Sequence, residues 1–143
     1  VMHEGFINFN AGTEGPGMIE GRISAGVWVG EGSDRGGGCS TMGTLSGGGA
    51  FVISVGEECL IWALAGLGIP LGDRCTLAAG LFVTAGTKVN VLDEGGDIIE
   101  TVSARALAGR PDLLFRRHSS TGAVQCLTNK SAIELNEMLH ANN

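Results

Sequence analysis

The sequence predicts an all-β solenoid built from hexapeptide repeats, on three observations. An aliphatic residue recurs every six positions, glycine supplies 25 of the 143 residues, and the recurring stretch lacks the 3.6-residue period of a helix. The beat is clearest from Val55 through Ile61 and Leu67, then Leu71 after a step shortened at Pro70, to Leu77, Val83 and Val89. Upstream, Val1 and Ile7, and then Ile23 and Val29, keep it. Four residues after each anchor comes a small or compact side chain: Gly5, Ala11, Val27, Ser33, Cys59, Ala65, Cys75, Leu81 and Thr87. Glycine often follows the anchor directly, at Gly30, Gly56, Gly68 and Gly72, and is expected to supply the positive φ of a tight bend. Anchor, bend and inward residue make one short strand with one corner. Three such units close a triangular coil, and stacked coils bury a continuous core. Cysteine at inward places fits this packing, because a buried thiol behaves as a small hydrophobe.

The elements follow in order. The coil is expected over residues 1–89, broken at Thr13 to Pro16 and by a Gly-rich loop over 41–49. Loops leaving a rigid coil are natural binding elements, and Gly-rich backbone can approach phosphates or a carboxylate closely. A C-terminal extension is expected over 90–143. In it Val89 to Leu92 and Ile98 to Val102, divided by Asp93-Glu94-Gly95-Gly96-Asp97, read as a hairpin. Leu113 to Ser119 sets Arg116 and Arg117 beside an apolar anchor, and Gly122 to Leu127 reads as a further strand. Ser131 followed by Glu134 makes a capping box, and Leu135, Met138 and Leu139 give a short terminal helix one apolar face, expected over the open end of the coil.

Composition excludes several function classes. With 43 % hydrophobic and 17 % charged residues and only three prolines, the chain is neither disordered nor collagen-like. No apolar run reaches the roughly 18 residues of a membrane span. Val1-Met2-His3-Glu4 lacks the basic-then-apolar pattern of a secretion signal, so a cytoplasmic protein is expected. A net charge of −6 with nine Lys and Arg argues against nucleic-acid binding, while leaving room for a local basic site that holds an anion. Cys39, Cys59, Cys75 and Cys126 form no CxxC pair and are expected to stay reduced.

Several motifs together resemble one family. They are Phe9-Asn10-Ala11-Gly12-Thr13, Met18-Ile19-Glu20-Gly21-Arg22-Ile23-Ser24, Gly38 to Gly49, Gly68-Ile69-Pro70-Leu71-Gly72-Asp73, Leu113 to Arg117 and Asn129-Lys130-Ser131. The chain resembles the tetrahydrodipicolinate N-succinyltransferases of the actinobacterial type over essentially all its residues. The resemblance implies a left-handed parallel β-helix, an exception to right-handed crossovers, and a homotrimer with active sites between subunits. It implies succinyl transfer from succinyl-CoA to the amine of ring-opened tetrahydrodipicolinate, on the route to diaminopimelate and lysine. The family assigns the glutamate matching Glu20 as catalytic, either as nucleophile through an acyl anhydride or as the base that deprotonates the amine; a carboxylate in a cleft can do either. Without the resemblance Glu20 reads as a solvated surface acid.

Arg22, two residues on, is expected on the same side of a strand as Glu20, placed to clamp the succinyl carboxylate, or else as an ordinary surface arginine. Family contacts to succinyl-CoA fall also on Gly37, Ser40, Ala63, Ala79, Gly86, Arg116, Arg117 and Ser119. The two arginines suit CoA phosphates, and the small residues leave room for pantetheine. Glu4 matches a carboxylate that can bind Mg2+ on a threefold axis, although its usual second acid has no counterpart here. His3 and His140 have no visible partners, and His118 stands where the family usually has asparagine.

The chain also departs from the family. Family members are longer, so it is expected to begin in mid-solenoid without their N-terminal domain, which leaves amino-acceptor binding open. Trp62 stands where glycine is usual, Leu64 where asparagine is, and Ala78 where glutamate is, while Ala50 and Phe51 replace a more usual Asn-Ile pair. Trp62 and Ala78 both directly follow anchors and are expected to stack on one outward face with Leu64 beside them. The alternative reading is therefore a catalytically impaired, truncated or engineered trimeric scaffold whose apolar face drives assembly or binds a partner protein. Because Ala63 lies between Trp62 and Leu64, the alternative expectation is that the patch intrudes on the CoA channel.

Overall fold

The computed structural model describes residues 1–43 and 52–128. The expected terminal helix, Ala50, Phe51 and most of the 41–49 loop lie outside the described residues. Eleven two-residue strands come first: β1 (Phe6–Ile7), β2 (Gly12–Thr13), β3 (Arg22–Ile23), β4 (Trp28–Val29), β5 (Asp34–Arg35), β6 (Ser40–Thr41), β7 (Ser54–Val55), β8 (Leu60–Ile61), β9 (Gly66–Leu67), β10 (Thr76–Leu77) and β11 (Phe82–Val83). Longer strands follow: β12 (Lys88–Leu92), β13 (Ile98–Ser103), β14 (Leu113–Arg117) and β15 (Val124–Thr128), with a 3-10 turn at Ala104–Leu107.

The short strands pair in parallel, each with the strand one circuit later, and so build three faces. Face A holds β1, β3, β6, β9 and β11, joined through Phe6↔Arg22, Ser40↔Gly66↔Phe82 and the bond from the Arg22 N–H to the Cys39 carbonyl, 2.8 Å. Face B holds β2, β4 and β7, with Val55 bridging onward to Leu71. Face C runs from an Ile19–Arg35 bridge through β5, β8, β10 and β14. The anchors point inward in three stacked columns. Ile23, Val29, Val55, Ile61, Leu67, Leu71, Leu77, Val83, Val89 and Phe115 are all buried, each contributing about 1.5–3 kcal/mol. Val1 departs from the expectation: it is 72 % exposed.

The bends differ from the sequence expectation. Positive φ falls not on the glycine after each anchor but three residues after it, at Gly26, Gly32, Gly38, Glu58, Leu64, Arg74 and Gly80. The glycines after the anchors serve close stacking instead. A Cβ on Gly30 would lie 2.5 Å from the Gly56 backbone, and one on Gly72 would lie 2.6 Å from that of Arg110. Successive circuits touch there, and only hydrogen fits between them.

The expected hairpin is present as antiparallel β12–β13. β14 continues face C beyond β10, turns back into antiparallel β15, and β15 pairs in parallel with β12. A forked ion pair from Arg74 Nε and Nη2 to Asp112, 2.7 and 3.2 Å, ties this segment to the coil and raises the Arg74 pKa. All four cysteines are free and buried. Cys59 and Cys75 stack one circuit apart above Ser33, whose hydroxyl accepts the Cys59 N–H. Burial pushes the Cys126 thiol up to about 12.

Candidate functional site

Register brings together residues far apart in sequence at the corner where face C turns into face A. The pairs Ile19–Arg35, Arg35–Ile61, Ile61–Leu77 and Leu77–Phe115 fix the order. The next residue of each row then forms one outward column: Glu20, Gly36, Trp62, Ala78 and Arg116. Backbone bonds confirm the stacking, from the Glu20 N–H to the Arg35 carbonyl, Trp62 to Leu77 and Ala78 to Phe115, at 2.9, 3.0 and 2.9 Å. Beside it runs a second column of Gly37, Ala63, Ala79 and Arg117, where the Leu64 N–H reaches the Gly37 carbonyl and the Gly80 N–H the Ala63 carbonyl, both 3.0 Å. At about 4.8 Å per strand, the four steps from Glu20 to Arg116 span roughly 19 Å.

A corner floored by glycine and alanine thus has a carboxylate at one end and two guanidinium groups at the other. Glu20 is half-buried, and its Oε2 lies 4.0 Å from where a Gly37 Cβ would stand. Arg116 and Arg117 are exposed; Arg116 Nε donates to Gln125 Oε1 at 3.0 Å, which steadies its fork. Planar, permanently charged guanidinium groups suit phosphate. By contrast, the cavity of about 340 Å³ on face B, lined by Glu14, Trp28, Ser54, Glu57, Leu71 and Asp73, carries three acids and repels such a ligand.

The remaining expected site residues divide. Arg22 does not share a strand with Glu20: Gly21 turns the corner between them, so Glu20 ends face C while Arg22 opens face A in β3. Arg22 and Ser40 do meet, Nη2 to Oγ at 2.5 Å. Gly86 lies in the turn after β11, at the far end of face A, and Ser119 lies in the turn between β14 and β15; neither is brought to Glu20 within one chain. Glu4 is exposed, and among the described residues no three His, Cys, Asp or Glu side chains converge on a metal site. His118 is a structural residue: its Nδ1 accepts the N–H groups of Ser120 and Thr121, both at 3.2 Å. Trp62 and Ala78 do share a column, but only Trp62 protrudes, at 51 % exposure. Leu64 folds across to the neighbouring circuit, its Cδ2 2.7 Å from where a Gly38 Cβ would lie.

One residue escaped the sequence reading. Arg35 stands six after Val29, on the beat, and points into the core between Ile19 and Ile61 at 1 % exposure. Its Nη2 donates to the Arg22 carbonyl at 2.7 Å and to Thr41 Oγ1, while Nε and Nη1 have no hydrogen-bond partner. Burial lowers its pKa.

Comparison with known proteins shows similarity along the whole chain. Residues 52–85 match the hexapeptide repeat of succinyl-transferase. The chain is 73 % identical over all 143 residues to the 2,3,4,5-tetrahydropyridine-2,6-dicarboxylate N-succinyltransferase of Pseudomonas putida, 74 % to that of Pseudomonas aeruginosa and 68 % to that of Vibrio cholerae. In each case it spans 42 % of the relative's length. A Campylobacter jejuni crystal structure described as a "putative 2,3,4,5-tetrahydropyridine-2-carboxylate n-succinyltransferase" superposes with a TM-score of 0.75 at 40 % identity, over 86 % of this chain and 36 % of that one. Aligned throughout at such identity and carrying the same repeat, the chain is similar to a segment of the tetrahydrodipicolinate N-succinyltransferases and spans less than half the length of these curated relatives.

Proposed function

We propose that this chain carries the succinyl-CoA site of a tetrahydrodipicolinate N-succinyltransferase, an acyltransferase of lysine and diaminopimelate biosynthesis. The observation that carries the reading is the column from Glu20 to Arg116 and Arg117, floored by Gly37, Ala63 and Ala79. The arginines hold the CoA phosphates, the small residues leave a path for pantetheine, and the thioester lies at Glu20. Arg22, oriented by Ser40, pairs with the succinyl carboxylate.

The acceptor amine forms the new C–N bond at the thioester carbonyl carbon, the C–S bond breaks, and the CoA sulfur leaves with a proton. Glu20 serves in one of two balanced ways. As base it takes the amine proton and passes it to the departing thiolate. As nucleophile it displaces the thiolate first, giving a glutamyl-succinyl anhydride that the amine then opens, regenerating the carboxylate. A succinyl adduct on Glu20, seen by mass after acid quench, separates the routes.

The reading carries a left-handed coil over 1–89, an extension over 90–143, and a homotrimer in which Gly86 and Ser119 reach the cleft from a neighbouring copy. It also goes with a cytoplasmic location; among the described residues no helix is long and apolar enough to cross a membrane. Mg2+ does not fit one chain, where Glu4 is a single carboxylate; only three Glu4 side chains meeting on the trimer axis would supply enough hard oxygen ligands. No step uses it. The competing scaffold reading rests on the exposure of Trp62 and Leu64, at 51 % and 73 %. The test is thiol release from succinyl-CoA with tetrahydrodipicolinate as acceptor. Activity that falls at least a hundredfold in Glu20→Gln supports the reading; activity retained in Glu20→Gln overturns the role of Glu20, and no succinyl-CoA binding overturns the whole.

A further inference from the structure

Within the proposed corner, one row differs from the rest. Counting from the carboxylate end, the outward residues are Glu20-Gly21, Gly36-Gly37-Gly38, Trp62-Ala63-Leu64, Ala78-Ala79-Gly80 and Arg116-Arg117. Between the charged end rows, only the middle row carries bulk. The indole of Trp62 is half exposed, and the rows before and after it present only Gly36 and Ala78, which leave space along both its sides. Leu64, held at φ 59, drops over Gly38 and bounds the outer side of the same row. A ligand stretched between the arginines and Glu20 must cross this row.

We infer that Trp62 is the carrier-recognition residue of this chain: its indole lies against the pantetheine arm of succinyl-CoA midway between the phosphate end and the thioester end. The inference rests on the succinyl-CoA reading and deepens it. The chemistry of the two ends selects the occupant. Cations two rows above take the phosphates, a carboxylate two rows below faces the acyl group, and what lies between them is the flexible amide-containing arm. A flat amphipathic ring is well suited to such an arm, because it offers apolar contact at little conformational cost. Arginines and glutamate alone would bind any phosphorylated thioester of the right length; the indole adds contact in the middle, where the neighbouring rows give none.

The test uses two readouts. The chain has two tryptophans, and Trp28 lies on face B in β4, away from the corner. In Trp28→Phe, Trp62 is the sole indole, and its emission is expected to change on titration with succinyl-CoA, saturating at the Kd found by calorimetry. In Trp62→Gly, KM for succinyl-CoA is expected to rise about tenfold, while kcat/KM for S-succinyl-N-acetylcysteamine, a short thioester that ends before the third row, stays unchanged. A merely structural role would impair both substrates. Calorimetric binding with silent Trp62 emission overturns the inference and leaves the succinyl-CoA reading standing, as does an unchanged or lower KM in Trp62→Gly. Absence of any calorimetric binding overturns both.

Discussion

Replacing Arg35 by leucine should make the protein more stable. The guanidinium occupies a place between Ile19 and Ile61 at 1 % exposure, and two of its donor nitrogens have no partner. Each unsatisfied buried donor costs about 1–3 kcal/mol, more on a charged group. Against this, Arg35→Leu surrenders the bonds to the Arg22 carbonyl and to Thr41, at about 1 kcal/mol each, and leucine restores an aliphatic column. The balance favours Arg35→Leu by about 2 kcal/mol, or roughly 6–10 °C in Tm for a chain of this size. Urea denaturation followed by circular dichroism, at fixed protein concentration because subunit association shifts the midpoint, measures the difference. Arg35→Leu/Thr41→Val, which also removes the orphaned hydroxyl, should gain a little more. A loss of stability above about 1 kcal/mol in Arg35→Leu would refute the reasoning, since it would mean that the buried cation has an anionic partner.

Other outcomes follow from the same structure. Leu64 adopts φ 59, a conformation that costs an L-residue about 1 kcal/mol, so Leu64→Asn should stabilise by about 0.5–1 kcal/mol in the same denaturation assay. Gly30→Ala, which drives a methyl to 2.5 Å from the Gly56 backbone, should cost about 3 kcal/mol or more, whereas Gly80→Ala, with nothing within 4 Å and only its φ of 70 against it, should cost about 1 kcal/mol. The Cys126 pKa is raised from 9.0 to about 12, so above pH 9 the unfolded chain loses this proton while the folded chain keeps it. Its contribution is therefore complete below pH 9 and lost between about 9 and 12, with a slope of up to about 1.4 kcal/mol per pH unit; Cys126→Ala should flatten that part of the stability profile. Light scattering should give a trimer of about 44 kDa, three times the 14.6 kDa chain; a much larger particle that reverts to trimer in Trp62→Gly/Leu64→Asn would favour the scaffold reading instead.

The solenoid was legible because its cause is periodic: every sixth side chain must fill the interior, and that demand is written in Val55, Ile61, Leu67, Leu77 and Val83. Where the beat admitted a charged residue, as at Arg35, polarity concealed the position although the spacing pointed to it. The corners are hidden from the sequence for a related reason. Glycines after the anchors suggested bends, but close contact between circuits put them there, while Glu58, Leu64 and Arg74 accept the strained φ. Contact between circuits depends on register between strands distant in sequence and cannot be seen locally. The same limit explains the site. Glu20, Ala63 and Arg117 were found through motif resemblance, but their alignment along one corner depends on β14 joining face C after the β12–β13 hairpin. Period-two alternation puts Arg22 on the strand of Glu20 only if the strand continues through Gly21, where the chain instead turns into β3.

The most direct test of the account is calorimetric titration of CoA into the wild-type chain and into Arg116→Ala/Arg117→Ala. The corner column predicts binding to the wild type and a loss of at least tenfold in affinity in the double variant, with the fold intact by circular dichroism. Equal affinity in the two proteins, or no binding to either, would contradict it.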